Sequence, residues 1–373
     1  MNYTERYQEL NALFRLGINT HLETTGIDIR FFSFKSATHS ADNEQTIIIS
    51  QDEKINENFS FIYPVFVPSG MKTAKQAILL LHGLNERNWS KYLTWAEYLC
   101  SNTGKPVILF PIAYHINRSP QSWSNPRDVS SLLNMRRQRY GEDRNLSFAN
   151  VTFSERITEN PYRFYSSGRQ TINDLSQLFE QIKTGSHTLF AENTQIDIFA
   201  YSIGAFLSEI TLMTNPKNLF SDSKLFLFCG GGIFSSMFGQ SRSIMDKAAY
   251  DKLYEYYLNE FTIETISKST QDKIFESFNS MISPNRNKVE RETFFSRLSN
   301  KVMGIPLLND KVMPFSGMLE AVGKKCFESR FKLLDFSFPY THENPFPTDC
   351  KLNSREVDDS FNCVFSTATG FLS

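Results

Sequence analysis

Apolar and polar positions follow two different patterns along the chain, and the change comes near residue 77. Before it, three runs alternate partly between apolar and polar side chains, as strands with one covered face do, at residues 27–34, 46–50 and 59–67. After it, short continuous apolar runs alternate with stretches in which apolar residues recur every three or four positions. Continuous runs are typical of strands buried on both faces, and the longer spacing is typical of helices.

This alternation predicts an α/β fold in which parallel strands are joined by right-handed helical crossovers. The predicted strands are residues 77–81, 106–113, 195–200, 224–229, 302–305 and 331–338. The predicted helical faces consist of Tyr92, Trp95, Ala96 and Leu99; Ile172, Leu175, Phe179 and Ile182; Ile203, Phe206, Leu207 and Ile210; and Val357, Phe361, Val364, Phe365 and Ala368. We therefore expect a mainly parallel central sheet with helices on both faces.

Two segments interrupt this rhythm. Residues 114–162 are polar and rich in Pro, Ser, Asn and Arg, whereas residues 233–300 look helical and carry many aromatic side chains. Both begin at the C-terminal end of a predicted parallel strand, the edge at which open α/β sheets bind ligands. We predict a single domain over residues 1–373, with a strand-rich N-terminal extension (1–70) and two insertions (114–162 and 233–300). The second insertion is predicted to form a helical cap over the ligand-binding edge of the sheet.

Composition and net charge limit the classes of protein to which this chain can belong. Hydrophobic residues make up 40% of the 373 residues and charged residues 21%, which suits a large buried core. The formal net charge of −1 gives no reason to expect nucleic-acid binding, and no stretch approaches the ~20 apolar residues that cross a bilayer. The five cysteines lack metal-site spacing and the first residues do not resemble a signal peptide, so we expect reduced thiols, no metal and a cytoplasmic location.

One serine lies where a predicted strand gives way to a predicted helix. The sequence there reads Ala200-Tyr201-Ser202-Ile203-Gly204. Small residues on both sides of the serine suit a tight, strained turn that presents a hydroxyl as a nucleophile. The ordinary alternative is that the serine merely caps the helix, and the pentapeptide alone does not separate the two interpretations.

Three further motifs accompany this turn. An apolar strand ends in His82-Gly83-Leu84, and Asp310 follows a predicted strand and precedes apolar residues and a proline. His342 follows the last predicted strand directly. All of these residues are expected at the C-terminal edge of the sheet, in the order serine, aspartate, histidine.

Together, the turn and the three motifs resemble the α/β-hydrolase superfamily, of the serine hydrolase type, over residues 59–373 apart from the two insertions. The resemblance implies that Ser202, Asp310 and His342 form a catalytic triad. It also implies that the backbone N–H groups of Leu84 and Ile203 bind the oxyanion of the tetrahedral intermediate. An imidazole has to accept the serine proton during attack, and a carboxylate has to fix the imidazole tautomer, which is why these three residue types are needed.

Other residues compete for these roles or lie close to them. Asp335 is the rival acid, but it falls inside the predicted strand 331–338, which would point it away from the edge. His82 is interpreted as a structural residue. His115, just beyond the strand that ends at residue 113, is a candidate substrate contact, with packing or a surface position as the alternative. Three other histidines are predicted at the surface: His21, His39 and His187.

Arginines at 136, 137 and 139 are interpreted as a solvated helix face rather than as an anion site, because Glu142 and Asp143 partly neutralise them.

The sequence thus predicts a serine hydrolase that cleaves a carboxylic ester or a related acyl compound through an acyl-enzyme intermediate. The expected partner is a small, apolar acyl substrate, and neither a metal nor an organic cofactor is implied. Thioesterases, peptidases and acyltransferases use the same triad, and the sequence does not separate them. The competing hypothesis is a binding protein that keeps the fold without turnover. It stays open because Ala200 replaces the usual glycine of the turn and because two large insertions could close the site.

Overall fold

The computed structural model describes residues 1–37, 52–261, 272–349 and 352–373. Within them, eight strands form one sheet in the order β1-β2-β3-β5-β4-β6-β7-β8. The strands are β1 (Thr20–Leu22), β2 (Ile27–Lys35), β3 (Ser60–Pro68), β4 (Ala74–Leu81), β5 (Val107–Leu109), β6 (Phe190–Tyr201), β7 (Leu225–Phe228) and β8 (Val302–Ile305). The first three are antiparallel to their neighbours, and β4 to β8 are parallel.

Helices cover both faces of this sheet, as the alternating pattern predicts. In chain order they are α1 (Tyr3–Leu13), α2 (Asn56–Phe59), α3 (Ser90–Thr103), α4 (Pro126–Tyr140), α5 (Val151–Glu159), α6 (Tyr162–Lys183), α7 (Ile203–Thr214), α8 (Lys247–Glu255), α9 (Lys273–Ser280), α10 (Lys288–Arg297), α11 (Phe315–Val322), α12 (Lys324–Arg330) and α13 (Ser354–Leu372). Along β4, Leu79 packs with α6 and α7 on one face, while Ile78 and Leu80 pack with α3 and α13 on the other. This double burial explains why the parallel strands read as continuous apolar runs.

Two predicted strands differ from the observed ones. The strand predicted at 106–113 is limited to β5, because Pro111 has no N–H to donate to a ladder. The segment 331–338 is not a strand: it runs beside β8 and makes only two isolated bridges, at Phe331 and Leu334. Pro306 interrupts the donors on the β8 side at this point. The predicted strand at 46–50 lies outside the described residues.

The N-terminal part and the segment 114–162 contain more helix than their sequence patterns indicate, whereas the described part of 233–300 is helical as predicted. Helix α1 precedes the strands of residues 1–70 and was not predicted. Residues 114–162 hold α4 and α5, and the described part of 233–300 holds α8, α9 and α10. In the described residues, none of the helices combines the length and the apolar character needed to cross a bilayer.

A buried ion pair ties these two segments together. Arg136 of α4 is 1% exposed, and it donates through Nε and Nη2 to the two carboxylate oxygens of Asp246, 2.8 Å each, at the start of α8. Asp246 N donates to Ser154 Oγ of α5 at 3.0 Å, and Asn150 Nδ2 donates to the Ser241 carbonyl at 2.8 Å. The prediction that Arg136 belongs to a solvated face is therefore wrong, because the fold buries it between two carboxylates, Glu155 of α5 and Asp246, which lies 110 residues further along the chain.

Candidate active site

Ser202 lies at the sharp turn between β6 and α7, with φ 57° and ψ −124°. Few residues with a side chain adopt this conformation, and it persists only where the surrounding structure holds it. Two glycines let that structure approach closely. A Cβ on Gly204 would lie 2.7 Å from the His82 carbonyl oxygen, and a Cβ on Gly230 would lie 2.6 Å from Ser202 N. The Ser202 side chain makes no capping bond to α7, which leaves its hydroxyl free for other contacts.

That hydroxyl faces His342. Ser202 Oγ lies 2.6 Å from His342 Nε2, and His342 Nδ1 lies 2.7 Å from Asp310 Oδ2. The other Asp310 oxygen, Oδ1, accepts backbone N–H bonds from Val312 and Met313, 2.9 Å each. All three side chains are buried. Because a carboxylate only accepts hydrogen bonds, Nδ1 carries the proton and Nε2 is left to accept one from the serine hydroxyl.

Asp335, the rival acid, lies elsewhere. It is exposed and accepts hydrogen bonds from Asn309 Nδ2 at 2.9 Å and from the Tyr340 hydroxyl at 2.8 Å. The structure therefore brings His342 together with Asp310. The reason given above against Asp335 was nevertheless wrong, since the segment 331–338 is not a strand.

Two backbone N–H groups flank the serine. Within the described residues, neither the Leu84 N–H nor the Ile203 N–H donates a hydrogen bond to another protein group. The loop before Leu84 is held in place: His82 is fully buried and its Nε2 accepts from Ile112 N at 2.9 Å, while Gly83 N donates to the Tyr92 hydroxyl at 2.9 Å. The arrangement leaves two donors available on a fixed backbone.

Two pockets adjoin Leu84 and Ile203. The first, about 450 Å³ counted to its open mouth, includes Ser202 and is almost entirely apolar. Its other walls are Phe164, Phe234, Met237, Gly239, Ile244, Met245, Tyr250, Leu253, Tyr254, Val312 and Met313. The second pocket is larger, about 1110 Å³ on the same measure, and extends past Glu86 and His115 toward Arg156, Arg163 and Arg169. The site thus has an apolar compartment beside the serine and a second, larger compartment whose mainly apolar walls also carry several polar side chains.

Comparison with known proteins adds the family and the fold. The model of a family of unknown function, DUF6051, matches residues 1–373. The chain belongs to the DUF6051 family. No curated protein matches it in sequence.

Solved structures that resemble this DUF6051 chain include a bacterial heroin esterase, with a TM-score of 0.50 and 10% identity over 99% of this chain and 91% of that one. Esterase LipW from Mycobacterium marinum gives a TM-score of 0.48 and 10% identity over 99% and 87% of the two chains. A thermophilic carboxylesterase cloned from a metagenomic library gives 0.46 and 11% over 100% and 95%. The likeness to the heroin esterase, at 10% identity, is one of fold, and together with the sheet order it gives the DUF6051 chain the α/β-hydrolase fold, as the sequence predicts.

Tyr201 of the DUF6051 chain is a site residue that the sequence analysis missed. Its hydroxyl donates to the His342 backbone carbonyl, and its ring stacks on the His342 ring with 5.5 Å between centroids and 15° between planes. It lies next to the serine on a buried strand, where an aromatic side chain is ordinarily interpreted as part of the hydrophobic core. Only the fold reveals that the ring packs against a histidine 141 residues away.

A carboxyl behind the serine was also missed. Glu209 of α7 is fully buried, and neither of its oxygens has a hydrogen-bond partner within the described residues. A Cβ on Gly231 would lie 2.8 Å from Glu209 Oε1, so the carboxyl packs against the turn that follows β7. Burial raises the pKa of Glu209 well above its usual value, and Arg291 only partly opposes this shift.

Two histidines that were predicted at the surface, His21 and His187, differ in their burial. His21 is half exposed and pairs with Asp28 at 2.8 Å. His187 is buried, contrary to the prediction: its Nε2 lies 2.8 Å from the Tyr63 hydroxyl, and its ring packs against Phe32 and Phe190. His39 lies outside the described residues.

Proposed function

We propose that this chain is a serine hydrolase that cleaves a carboxylic ester or a related acyl compound. The observation that carries the proposal is the continuous contact from Ser202 Oγ to His342 Nε2, 2.6 Å, and from His342 Nδ1 to Asp310 Oδ2, 2.7 Å, at a strained strand-to-helix turn. A hydroxyl, an imidazole and a carboxylate in this order are the parts that acyl transfer to water requires.

In the proposed mechanism, Ser202 Oγ attacks the acyl carbon while His342 Nε2 accepts its proton. Asp310 keeps the imidazole in the reactive tautomer and stabilises its charged form, because its Oδ2 faces Nδ1. The free N–H groups of Leu84 and Ile203 bind the oxyanion. His342 then protonates the leaving group, and a water molecule activated by His342 releases the acyl group from Ser202.

The walls of the pockets favour an apolar group next to the reacting carbon. The compartment that contains Ser202 is lined by methionine, isoleucine, leucine and aromatic side chains. Several of them, including Met237, Met245 and Leu253, belong to the segment 233–300, which supports its proposed role as a cap. We propose the same covering role for residues 114–162, because Trp123 and Phe153 line the larger compartment. The chain then forms a single domain with two cap insertions.

Labelling with a fluorophosphonate probe tests the proposal directly. We expect the wild-type protein to take one label per chain and Ser202→Ala to take none, because the probe reacts only with an activated serine. Intact-mass spectrometry measures the stoichiometry, and peptide mapping should place the label on Ser202. An unlabelled wild type that still binds esters would favour the binding-protein hypothesis instead.

Tyr201→Phe should lower kcat about three- to tenfold with little change in KM. The substitution keeps the ring that stacks on His342 and removes one hydrogen bond to its backbone, whose net contribution is about 0.5–1.5 kcal/mol. The matched control is Tyr98→Phe on α3, since the Tyr98 hydroxyl makes no hydrogen bond with the described residues and lies outside both pockets. Steady-state kinetics across pH compares the two, and equal effects of both variants would contradict a positioning role for Tyr201.

A further inference from the structure

His115 presents an unused hydrogen-bond acceptor beside the candidate site. The residue is buried and lines the larger pocket, close to Leu84 and Glu86. Its Nδ1 lies 2.8 Å from the Ala113 carbonyl oxygen. Its Nε2 is shielded from solvent and has no hydrogen-bond partner among the described residues. Buried polar atoms in folded proteins are nearly always paired, so this nitrogen needs an explanation.

The chemistry of Nε2 follows from its neighbours. A carbonyl oxygen only accepts hydrogen bonds, so Nδ1 carries the proton and Nε2 carries a lone pair. Burial lowers the pKa of His115 to about 4; the nearby Glu86 opposes that shift, and Arg118 and Arg156 add to it. The imidazole is therefore neutral at physiological pH, and its free nitrogen accepts a hydrogen bond and cannot donate one.

The backbone around His115 is held in an unusual conformation. The residues on either side have positive φ, 65° at Tyr114 and 50° at Ile116, and the second of these is β-branched. Tyr114 N donates to Asn58 Oδ1 at 3.0 Å, and Ile116 N donates to the Glu86 carbonyl at 3.0 Å. Strained backbone of this kind clusters at binding and catalytic sites. The fold thus fixes the imidazole against the pocket at a conformational cost.

Three of the four arginines in the pocket wall already have anionic partners, and the fourth, Arg87, donates to the backbone carbonyls of Phe148 and Ala149. Arg156 and Arg163 both bind Asp52, and Arg169 binds Asp272. An anionic ligand would have to displace these ion pairs or the two carbonyl bonds of Arg87. The neutral acceptor on His115 has no partner to displace, so a neutral donor can pair with it, whereas the Nε of Arg169, which also has no partner among the described residues, needs an acceptor.

We propose that His115 Nε2 accepts a hydrogen bond from a hydroxyl or N–H group of the substrate, in the portion that occupies the larger pocket. The inference rests on the proposed function and narrows its substrate class: an acyl compound with an apolar group beside the reacting carbon and a neutral donor some distance away. The donor belongs either to the acyl chain or to the alcohol portion, and both give His115 the same contact.

Matched ester pairs test the inference. One series consists of nitrophenyl esters of linear acids of increasing length, each paired with its terminal hydroxy analogue. The other consists of linear alkyl acetates, each paired with its terminal hydroxyalkyl analogue. We expect wild type to prefer the hydroxylated member about tenfold in kcat/KM at one chain length, as one hydrogen bond to a neutral acceptor predicts. The series that shows the preference identifies the portion of the substrate that His115 contacts.

Two substitutions at the same position separate the acceptor from the rest of the ring. His115→Asn places an amide near the Nδ1 position and can keep the bond to Ala113, but it has no acceptor at the Nε2 position. His115→Gln reaches the Nε2 position with an amide oxygen. We expect the preference to disappear in the first variant and to return at least partly in the second. His187→Asn is the matched control, since His187 is also buried but lies outside both pockets, and it should keep the wild-type ratio.

A wild type that shows no hydroxyl preference in either series, or a preference that survives His115→Asn, overturns the inference. Calorimetric binding of the same pairs to the Ser202→Ala protein keeps this question apart from the proposed function. If wild type does not cleave any ester while hydroxyl-dependent binding still requires His115, the proposed function alone fails.

Discussion

We expect Ser202→Ala and His342→Ala each to lower kcat for nitrophenyl acetate by about 10⁴-fold or more. The first removes the nucleophile, and the second removes the only side chain within hydrogen-bond distance of its hydroxyl in the described residues. Nitrophenyl acetate is small and activated, so it needs the triad and the oxyanion donors but few pocket contacts. The double variant should be barely slower than either single variant, because the two residues act in one proton transfer.

Ser208→Ala is the matched control for this experiment. Ser208 is buried on the same helix as the turn, its hydroxyl donates to the Gly204 carbonyl at 2.7 Å, and it lines neither pocket. It should keep most of the wild-type rate. Equal rates for wild type and Ser202→Ala would mean that surface groups cleave the ester, and the proposed triad would then be wrong.

We expect Glu209→Gln to stabilise the fold increasingly as pH rises. The carboxyl ionises near pH 4.5 in the unfolded chain, while burial without a hydrogen-bond partner raises its pKa well above that value in the folded protein. Between these two pKa values the folded state keeps a proton that the unfolded state has lost. The free energy of unfolding of wild type therefore falls by about 1.4 kcal/mol per pH unit relative to the variant as pH rises through this range.

Urea unfolding of both proteins at pH 5, 6, 7 and 8 measures this difference. Glu209→Met is of similar size and also lacks an ionisable group, so it should lose the same pH dependence. Because methionine, unlike glutamine, cannot donate a hydrogen bond, the comparison of the two variants distinguishes the effect of the charge from that of hydrogen bonding. Parallel curves for wild type and Glu209→Gln would show that Glu209 is ionised in the folded state, with Arg291 as its compensating charge.

The sequence predicts the parts of the fold and of the site that depend on local pattern. Continuous apolar runs identify β4, β6, β7 and β8, because strands covered on both faces carry few polar residues. The pentapeptide around Ser202 could be interpreted as a tight turn that presents the serine hydroxyl, because its small residues and the change from strand to helix are local features. Asp310 and His342 were predicted from the resemblance to α/β-hydrolases and from their order along the chain, and the structure places His342 within hydrogen-bond distance of both Ser202 and Asp310.

What the sequence could not reveal depends on contacts between distant residues. The Tyr201 hydroxyl bonds to His342, 141 residues away, and Arg136 bonds to Asp246, 110 residues away. His187 looked like a surface residue from its polar neighbours, but the fold places aromatic rings around it. The apolar positions Ile203, Phe206, Leu207 and Ile210 predicted one covered face, whereas α7 is buried on nearly all sides, Glu209 included. Local spacing carries no information on what packs against each face.

The buried pair between Arg136 and Asp246 has a consequence for how tightly any ligand binds. Ser202 is only 2% exposed, and the segments 114–162 and 233–300 are joined through this pair, so a ligand that required the two segments to separate would have to break it. The free energy of such a separation would weaken the binding of every ligand that requires it by the same factor, about tenfold in Kd for each 1.4 kcal/mol. The Arg136–Asp246 pair would therefore lower the affinities of all such ligands by one common factor. The order of those affinities would still depend on the pocket walls.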